Sequence, residues 1–300
     1  MSGPLARTGP RVVALGGGHG LAATLQATRR YASSITAIVS VADDGGSSGR
    51  LRAALGIPAP GDLRRCLVAL AEGDSVWTRT FEHRFADGDL EGHAVGNLVI
   101  AGLAGVLGDF RLALDEAGRL LGTVGTVLPA TCDAVVLKAE VDGAGAVEGQ
   151  MQVSNAEGRI SRVSLVPPDP RPPAEALEAI AAADQVVLGP GSLYSSVLAV
   201  VAVPAIREAL AATPATLVYV CNLRPEHHET TGLDAAGHVR ALRSHGVDVD
   251  VVLHDPATLA AGDLAEATGP AEVVRASLAK ADGSGHDPAR LAAALAERLA

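Results

Sequence analysis

Aromatic side chains are scarce in this chain. Phe, Tyr and Trp make up 2% of 300 residues, and Tyr31, Trp77, Phe81, Phe85, Phe110, Tyr194 and Tyr219 are the whole supply. A core must therefore be built from Ala, Val and Leu, and the scarcity argues against single-stranded nucleic-acid binding on aromatic platforms. Lysine is scarcer still, with Lys138 and Lys280 alone, so positive charge comes mostly from arginine. The net charge of −10 argues against a general nucleic-acid binder, although a nucleotide needs only local positive charge. Cys66, Cys132 and Cys221 are odd in number, far apart and without a CxxC spacing. They read as small buried apolar residues and not as a redox or metal motif. No signal peptide is visible, and no apolar run reaches the roughly 20 residues a membrane span needs. The longest such run, 95–107, carries Asn97. A cytoplasmic protein without membrane insertion is expected.

What is present is an α/β pattern. With 48% hydrophobic and 19% charged residues the chain supports a substantial core. Residues 1–10 read as a flexible leader, 11–258 as a nucleotide-binding domain and 259–300 as an Ala-rich C-terminal extension without an assignable role. Apolar runs near 11–15, 35–41, 184–188, 216–220 and 249–253 alternate with helical stretches. They predict a Rossmann-like parallel sheet with helices on both faces. Between them, strand-like runs at 135–141, 147–153 and 159–166, punctuated by Asp142-Gly143 and Glu157-Gly158, predict a small antiparallel excursion around 134–166.

Polar clusters follow the apolar strands. The first strand runs into Gly16-Gly17-Gly18-His19-Gly20, and Gly18 to Ala23 fits GxGxxG/A, a pattern weak alone but strengthened by a strand before and a helix after. The second strand delivers Asp43-Asp44-Gly45-Gly46-Ser47-Ser48-Gly49-Arg50, with adjacent carboxylates for a ribose or a metal. Ser47 or Ser48 is expected to cap a helix starting near Gly49. Asp62 is expected to cap a helix over 63–72, with Arg64 and Arg65 awaiting a phosphate or Asp43/Asp44. Glu91 to Leu98 places His93, Gly96 and Asn97 ahead of an apolar helix. A second turn, Gly189-Pro190-Gly191-Ser192, and Asn222 after the 216–220 strand complete the set. In a parallel sheet those strand ends share one edge, so a single ligand cleft is the economical reading. GxxxxGK[ST] and GxSxG are absent, and His227-His228-Glu229 lacks the HExxH zinc spacing. An NAD oxidoreductase would rest on GxGxxA alone.

The motifs GGGHGL, VSVADDGGSSGRLR, PAPGDLRRCLVAL, EGHAVGNL, VLGPGSLYSSVL and VCNL, in order over about residues 11–255, resemble the YvcK family. That family lies in the superfamily of the 2-phospho-L-lactate transferase CofD. The resemblance implies a Rossmann-like fold and a UDP-sugar ligand such as UDP-N-acetylglucosamine, bound without a required cofactor. It also implies a role in cell shape and cell-wall supply during gluconeogenic growth. The ligand would contact Gly16, Gly17, Gly18, His19, Gly20, Asp43, Asp44, Gly45, Gly46, Ser47, Asn97, Gly189, Gly191, Ser192 and Asn222. Catalysis is not established for that family. The alternative is a Mg²⁺-dependent transferase moving phospholactate from a guanosine diphosphate-linked donor to a deazaflavin. Asp43 and Asp44 would then hold the metal or activate the hydroxyl, and Arg50 and Arg64 would stabilise the leaving phosphate. Two departures are evident: His19 stands where many members carry Thr, and the segment after Asn222 differs from the commoner Gln-Pro-Gly-Glu-Thr form. The sequence leaves a homo-oligomer open.

Overall fold

The computed structural model describes residues 8–226 and 228–299. Residues 1–7 of the expected leader and His227 lie outside the described residues. Among the described residues there are ten strands: β1 (Arg11–Gly16), β2 (Ser34–Val39), β3 (Thr126–Pro129), β4 (Val136–Val141), β5 (Gly145–Glu148), β6 (Ile160–Val166), β7 (Gln185–Leu188), β8 (Thr216–Val220), β9 (Val251–His254) and β10 (Glu272–Arg275). Seven form one sheet in the order β10-β9-β8-β7-β1-β2-β3. Every pair in it is parallel, with Leu15 opposite Ile38 on one side and Leu188 on the other.

The five expected strands are all in that sheet. Their apolar runs are continuous because helices cover both faces, and Val12, Val13, Ala14 and Leu15 of β1 are all buried. The helix Gly18–Thr28 packs on Pro60–Leu70 and on Pro288–Ala296, while Ala174–Ala182 lies against β1 and β2. Phe110–Leu121 shows how local chemistry sets a helix here. Phe110, Ala113, Leu114, Ala117 and Leu121 make one buried stripe. Asp109 accepts the Leu112 N–H at its start, 2.9 Å away, and Gly122 closes it at φ 62°.

Several expectations need correction. The second strand of the antiparallel excursion stops at Glu148. Gly149, at φ 101°, leaves the extended region, and Gln150–Ser154 is a short helix whose Met151 N–H donates to Asp44 Oδ1 at 2.9 Å. The remaining pairing, β5-β4-β6, is antiparallel as expected. The helix after the Asp loop begins at Gly46 with no side-chain cap, so Ser47 lies inside its first turn. The helix carrying Asp62 begins at Pro60, again with no side-chain cap. Cys66 and Cys221 are buried free thiols, but Cys132 is exposed.

The segment beyond residue 258 is part of the same sheet. It supplies β10 along β9, and Asp287 caps the helix Pro288–Ala296 by accepting the Ala289 and Arg290 N–H groups. Leu295 O of that helix accepts a bond from the buried Gln185 Nε2 at 3.0 Å. Among the described residues no single helix is long and apolar enough to cross a membrane.

A chain ending at residue 258 would uncover β9 and one side of the helix Gly18–Thr28, and is expected to lose cooperative unfolding. A urea titration followed by circular dichroism checks this; an unchanged midpoint and slope would show that 259–300 is dispensable.

Candidate functional site

The strand order reverses between β1 and β7, which run to the two sides of the sheet, and the loops leaving their C-terminal ends diverge there. Such a switch point is where open α/β sheets bind ligands. The two glycine turns meet at it. A Cβ on Gly20 would lie 2.2 Å from Pro190 O, and one on Gly191 would lie 3.3 Å from Gly17 O. Thr24 Oγ1 donates to Gly189 O at 2.7 Å, tying helix to turn. Only glycine permits this approach of two backbones.

Both helix starts already hold a carboxylate from the chain itself. Gly18 N–H donates to Asp62 Oδ2 at 2.8 Å, and Asp62 Oδ1 also pairs with Arg65 at 2.6 Å. Asp62 thus caps the helix Gly18–Thr28 and not its own. At the second turn, Tyr194 N–H and Ser195 N–H donate to Glu229 Oε1 at 2.7 and 2.9 Å. Ser195 Oγ and Ser154 Oγ reach its Oε2 at 2.8 and 3.3 Å. Ser192 Oγ donates instead to Glu226 Oε1 at 3.2 Å. Asn222 Oδ1 accepts the Gly191 N–H at 3.0 Å, while its buried Nδ2 has no partner among the described residues.

The paired acids after β2 aim at different elements. Asp43 Oδ1 accepts the Gly45 N–H at 2.9 Å, with its other oxygen beside Gly61, while Asp44 turns to Gly149 and Met151. The two carboxylates therefore present no common face to Mg²⁺. Among the described residues no group of three or more His, Cys, Asp or Glu could hold a metal ion. Ser47, His93 and Asn97 form a separate buried cluster, with Ser47 Oγ 2.9 Å from His93 Nδ1 and accepting Asn97 Nδ2 at 3.0 Å. Arg50 Nη2 donates to Glu91 O at 2.6 Å, so this arginine holds a neighbouring loop.

Beside the turns lies a cleft of about 1050 Å³. Of the residues expected at a ligand, His19, Gly20, Gly191 and Asn222 line it, together with Arg64. Gly16, Gly17, Gly18, Gly189 and Ser192 are not among its lining residues, and Asp43 to Ser47 and Asn97 belong to the neighbouring loop and cluster. The cleft also takes Arg65, Glu82, Arg84, Arg224, Glu226, Lys280 and His286, so five cations face two carboxylates. Arg84, Arg224, Glu226, Lys280 and His286 were not expected there. The last two come from the segment beyond 258, and a Gly-Ser-Gly-His turn was the one available signal for it.

Electrostatics follow burial. Desolvation lowers the Arg64 pKa to about 10, and its Nε is buried without a partner. Burial, with Glu229 nearby, raises Glu226 to about 7. Burial and then Arg65 hold His19 below the usual imidazole range. Burial holds His286 down to about 4 while its Nε2 lies 3.1 Å from Cys221 O.

Fold and cleft together define a doubly wound α/β protein with a cationic cleft at its switch point. More narrowly, the chain belongs to the CofD family: residues 12–283 match the family described as 2-phospho-L-lactate transferase CofD. Within it, the similar proteins are the gluconeogenesis factors of the YvcK type. The chain is 44% identical to the gluconeogenesis factor of Bacillus subtilis over 237 residues, covering 79% of this chain and 75% of that protein. It is likewise 44% identical to the putative gluconeogenesis factor of Mycobacterium tuberculosis over 303 residues, covering 95% and 89%. A crystal structure of a UPF0052 family protein from Bacillus halodurans superposes with a TM-score of 0.91 at 37% identity, covering 96% of this chain and 99% of that one.

Two measurements test this geometry. Gly20→Ala should cost several-fold more stability than Gly18→Ala. The first Cβ meets Pro190 O, whereas the second, at φ 62°, meets nothing within 4 Å and carries only the left-handed strain of about 1 kcal/mol. Equal urea midpoints would contradict the packing of the turns. The second concerns acid. An unfolded imidazole titrates near 6.5, so with a folded value of about 4 the His286 contribution is complete above pH 6.5. It is lost as pH falls through 4, a span worth about 3 kcal/mol at most. His286→Asn should therefore show a shallower fall in stability between pH 6.5 and 4 than the parent chain.

Proposed function

We propose that the protein binds a nucleotide sugar of the UDP-N-acetylglucosamine type in this cleft. Through that ligand it would act in the cytoplasm in cell shape and cell-wall supply during gluconeogenic growth. The observation that carries the reading is the excess of five cations over two carboxylates in one cleft of a chain whose net charge is −10. Such a cleft favours a ligand with a compact negative group. Unpartnered donors, Asn222 Nδ2 and Arg64 Nε, await acceptors such as those of a base, a sugar or a phosphate. Arginine faces supply stacking surfaces for a base where the lining residues include no Phe, Tyr or Trp. The name of the similar proteins, gluconeogenesis factor, supports the gluconeogenic part of the reading.

The transferase reading is supported by the family description itself. Against it stands the divergence of Asp43 and Asp44, which gives a metal no joint carboxylate ligand set.

Thermal shift separates the two. At a hundredfold excess over Kd a ligand selective for the native state adds about 2.7 kcal/mol, or about 4 °C for a chain of 300 residues. UDP-N-acetylglucosamine should produce such a shift with or without Mg²⁺, and GDP a smaller one. Strict Mg²⁺ dependence, or product formed from a guanosine diphosphate-linked phospholactate donor and a deazaflavin, would overturn the proposal.

A further inference from the structure

We infer that the anionic group of the ligand is seated on the side chains of Arg64, Arg84, Arg224 and Lys280, and not on the main-chain amides that Asp62 and Glu229 occupy. This rests on the nucleotide-ligand reading above and concerns where in the cleft its diphosphate lies.

The glycine turns have the sequence of phosphate cradles, yet Asp62 already holds the Gly18 N–H and Glu229 the Tyr194 and Ser195 N–H groups. To reach Gly18 N–H an anion must displace Asp62, which would leave Arg65 without its 2.6 Å partner. It would also set Asp62 free beside Asp43, a neighbour that already disfavours its charge. To reach the Tyr194 and Ser195 amides it must displace Glu229, which is 5% exposed and accepts four bonds. A ligand phosphate gains little by replacing a carboxylate that is already in place and satisfied.

The side-chain cations are in the opposite condition. Arg11, Arg111, Arg119, Arg243 and Arg298 all sit against carboxylates of their own. Arg224 and Lys280 have no carboxylate within salt-bridge distance among the described residues, and Arg84 donates only to the main-chain Gly92 O. Arg64 is 5% exposed and lines the same cleft, with Nη1 on Phe81 O at 3.3 Å and Nε unpartnered. A buried arginine with an unused donor, flanked by three exposed cations from separate segments, is a built seat for a diphosphate. The class of ligand is a nucleoside diphosphate derivative, with inorganic pyrophosphate as its minimal mimic.

The test is calorimetry with UDP-N-acetylglucosamine and, separately, pyrophosphate. The proteins are the parent chain, Arg84→Met, Arg224→Met, Lys280→Met and Glu229→Gln, each checked by thermal melting. Each cation variant should bind either probe about tenfold more weakly, and parent binding should weaken as salt rises. Glu229→Gln removes the charge that competes for the second turn, and should leave affinity within about twofold. Cation variants that bind as the parent does, or a Glu229→Gln variant that binds about tenfold more tightly, would overturn the inference while the nucleotide-sugar reading stands. Pyrophosphate binding that depends on these cations in a protein with no affinity for the UDP-sugar would uphold the seat and discard that reading. Binding of neither probe by the folded parent chain would overturn both.

Discussion

The contact between the two glycine turns is the constraint on which the rest of the site depends. Gly20 against Pro190 and Gly191 against Gly17 bring the ends of β1 and β7 together at a separation that no side chain allows. Once the turns touch, two helix starts open on the same rim, and their N–H groups need acceptors. Asp62 and Glu229 provide them from distant segments. Asp62 also holds Arg65, three residues on in its own helix, while Glu229 reaches the short helix Gln150–Ser154 through Ser154. The small antiparallel sheet is thereby bolted to the main one near the cleft.

This arrangement separates two tasks that dinucleotide-binding turns usually combine. In such turns the glycine backbone both closes the fold and holds the ligand's phosphates. Here Asp62 and Glu229 hold the Gly18, Tyr194 and Ser195 amides. Positive charge for a ligand is left to side chains that project into the cleft from the helix Pro60–Leu70, from the loops carrying Arg84 and Arg224, and from the segment after β10. Glu226, lifted to about 7 by burial and by Glu229, is only about half ionised at that pH and weakens the cationic field less than an ordinary carboxylate would.

Much of the fold was legible residue by residue. The strand read at 216–220 is β8 with the same ends, because a β-branched run buried on both faces declares itself within five residues. β3 and β10 were not read. Each has four residues, β3 ends in Pro129, β10 begins at Glu272 and ends at Arg275, and both lie at sheet edges where burial imposes no clear pattern. Within the site, His19, Gly20, Gly191 and Asn222 were read from strand ends and do line the cleft. Asp62 was read as a cap for the wrong helix, since its local position suits a helix start while its partner lies 44 residues away. The acids at 43 and 44 read as a pair, yet alternate backbone direction sends them to different neighbours.

By itself, then, the sequence determined the strand and helix pattern, the two glycine turns, the near-absence of aromatic and lysine side chains, and the family. All of these depend on neighbours a few residues apart or on composition. Only the tertiary structure decided which acid occupies which amide and which cations remain uncompensated. Those are pairings across 34 to 44 residues in the carboxylate contacts, and 165 residues in the bond from Thr24 to Gly189. The physical reason is that hydrogen bonds and charges act through distance in space, and the strand order alone sets which remote segments come within that distance at the edge of the sheet.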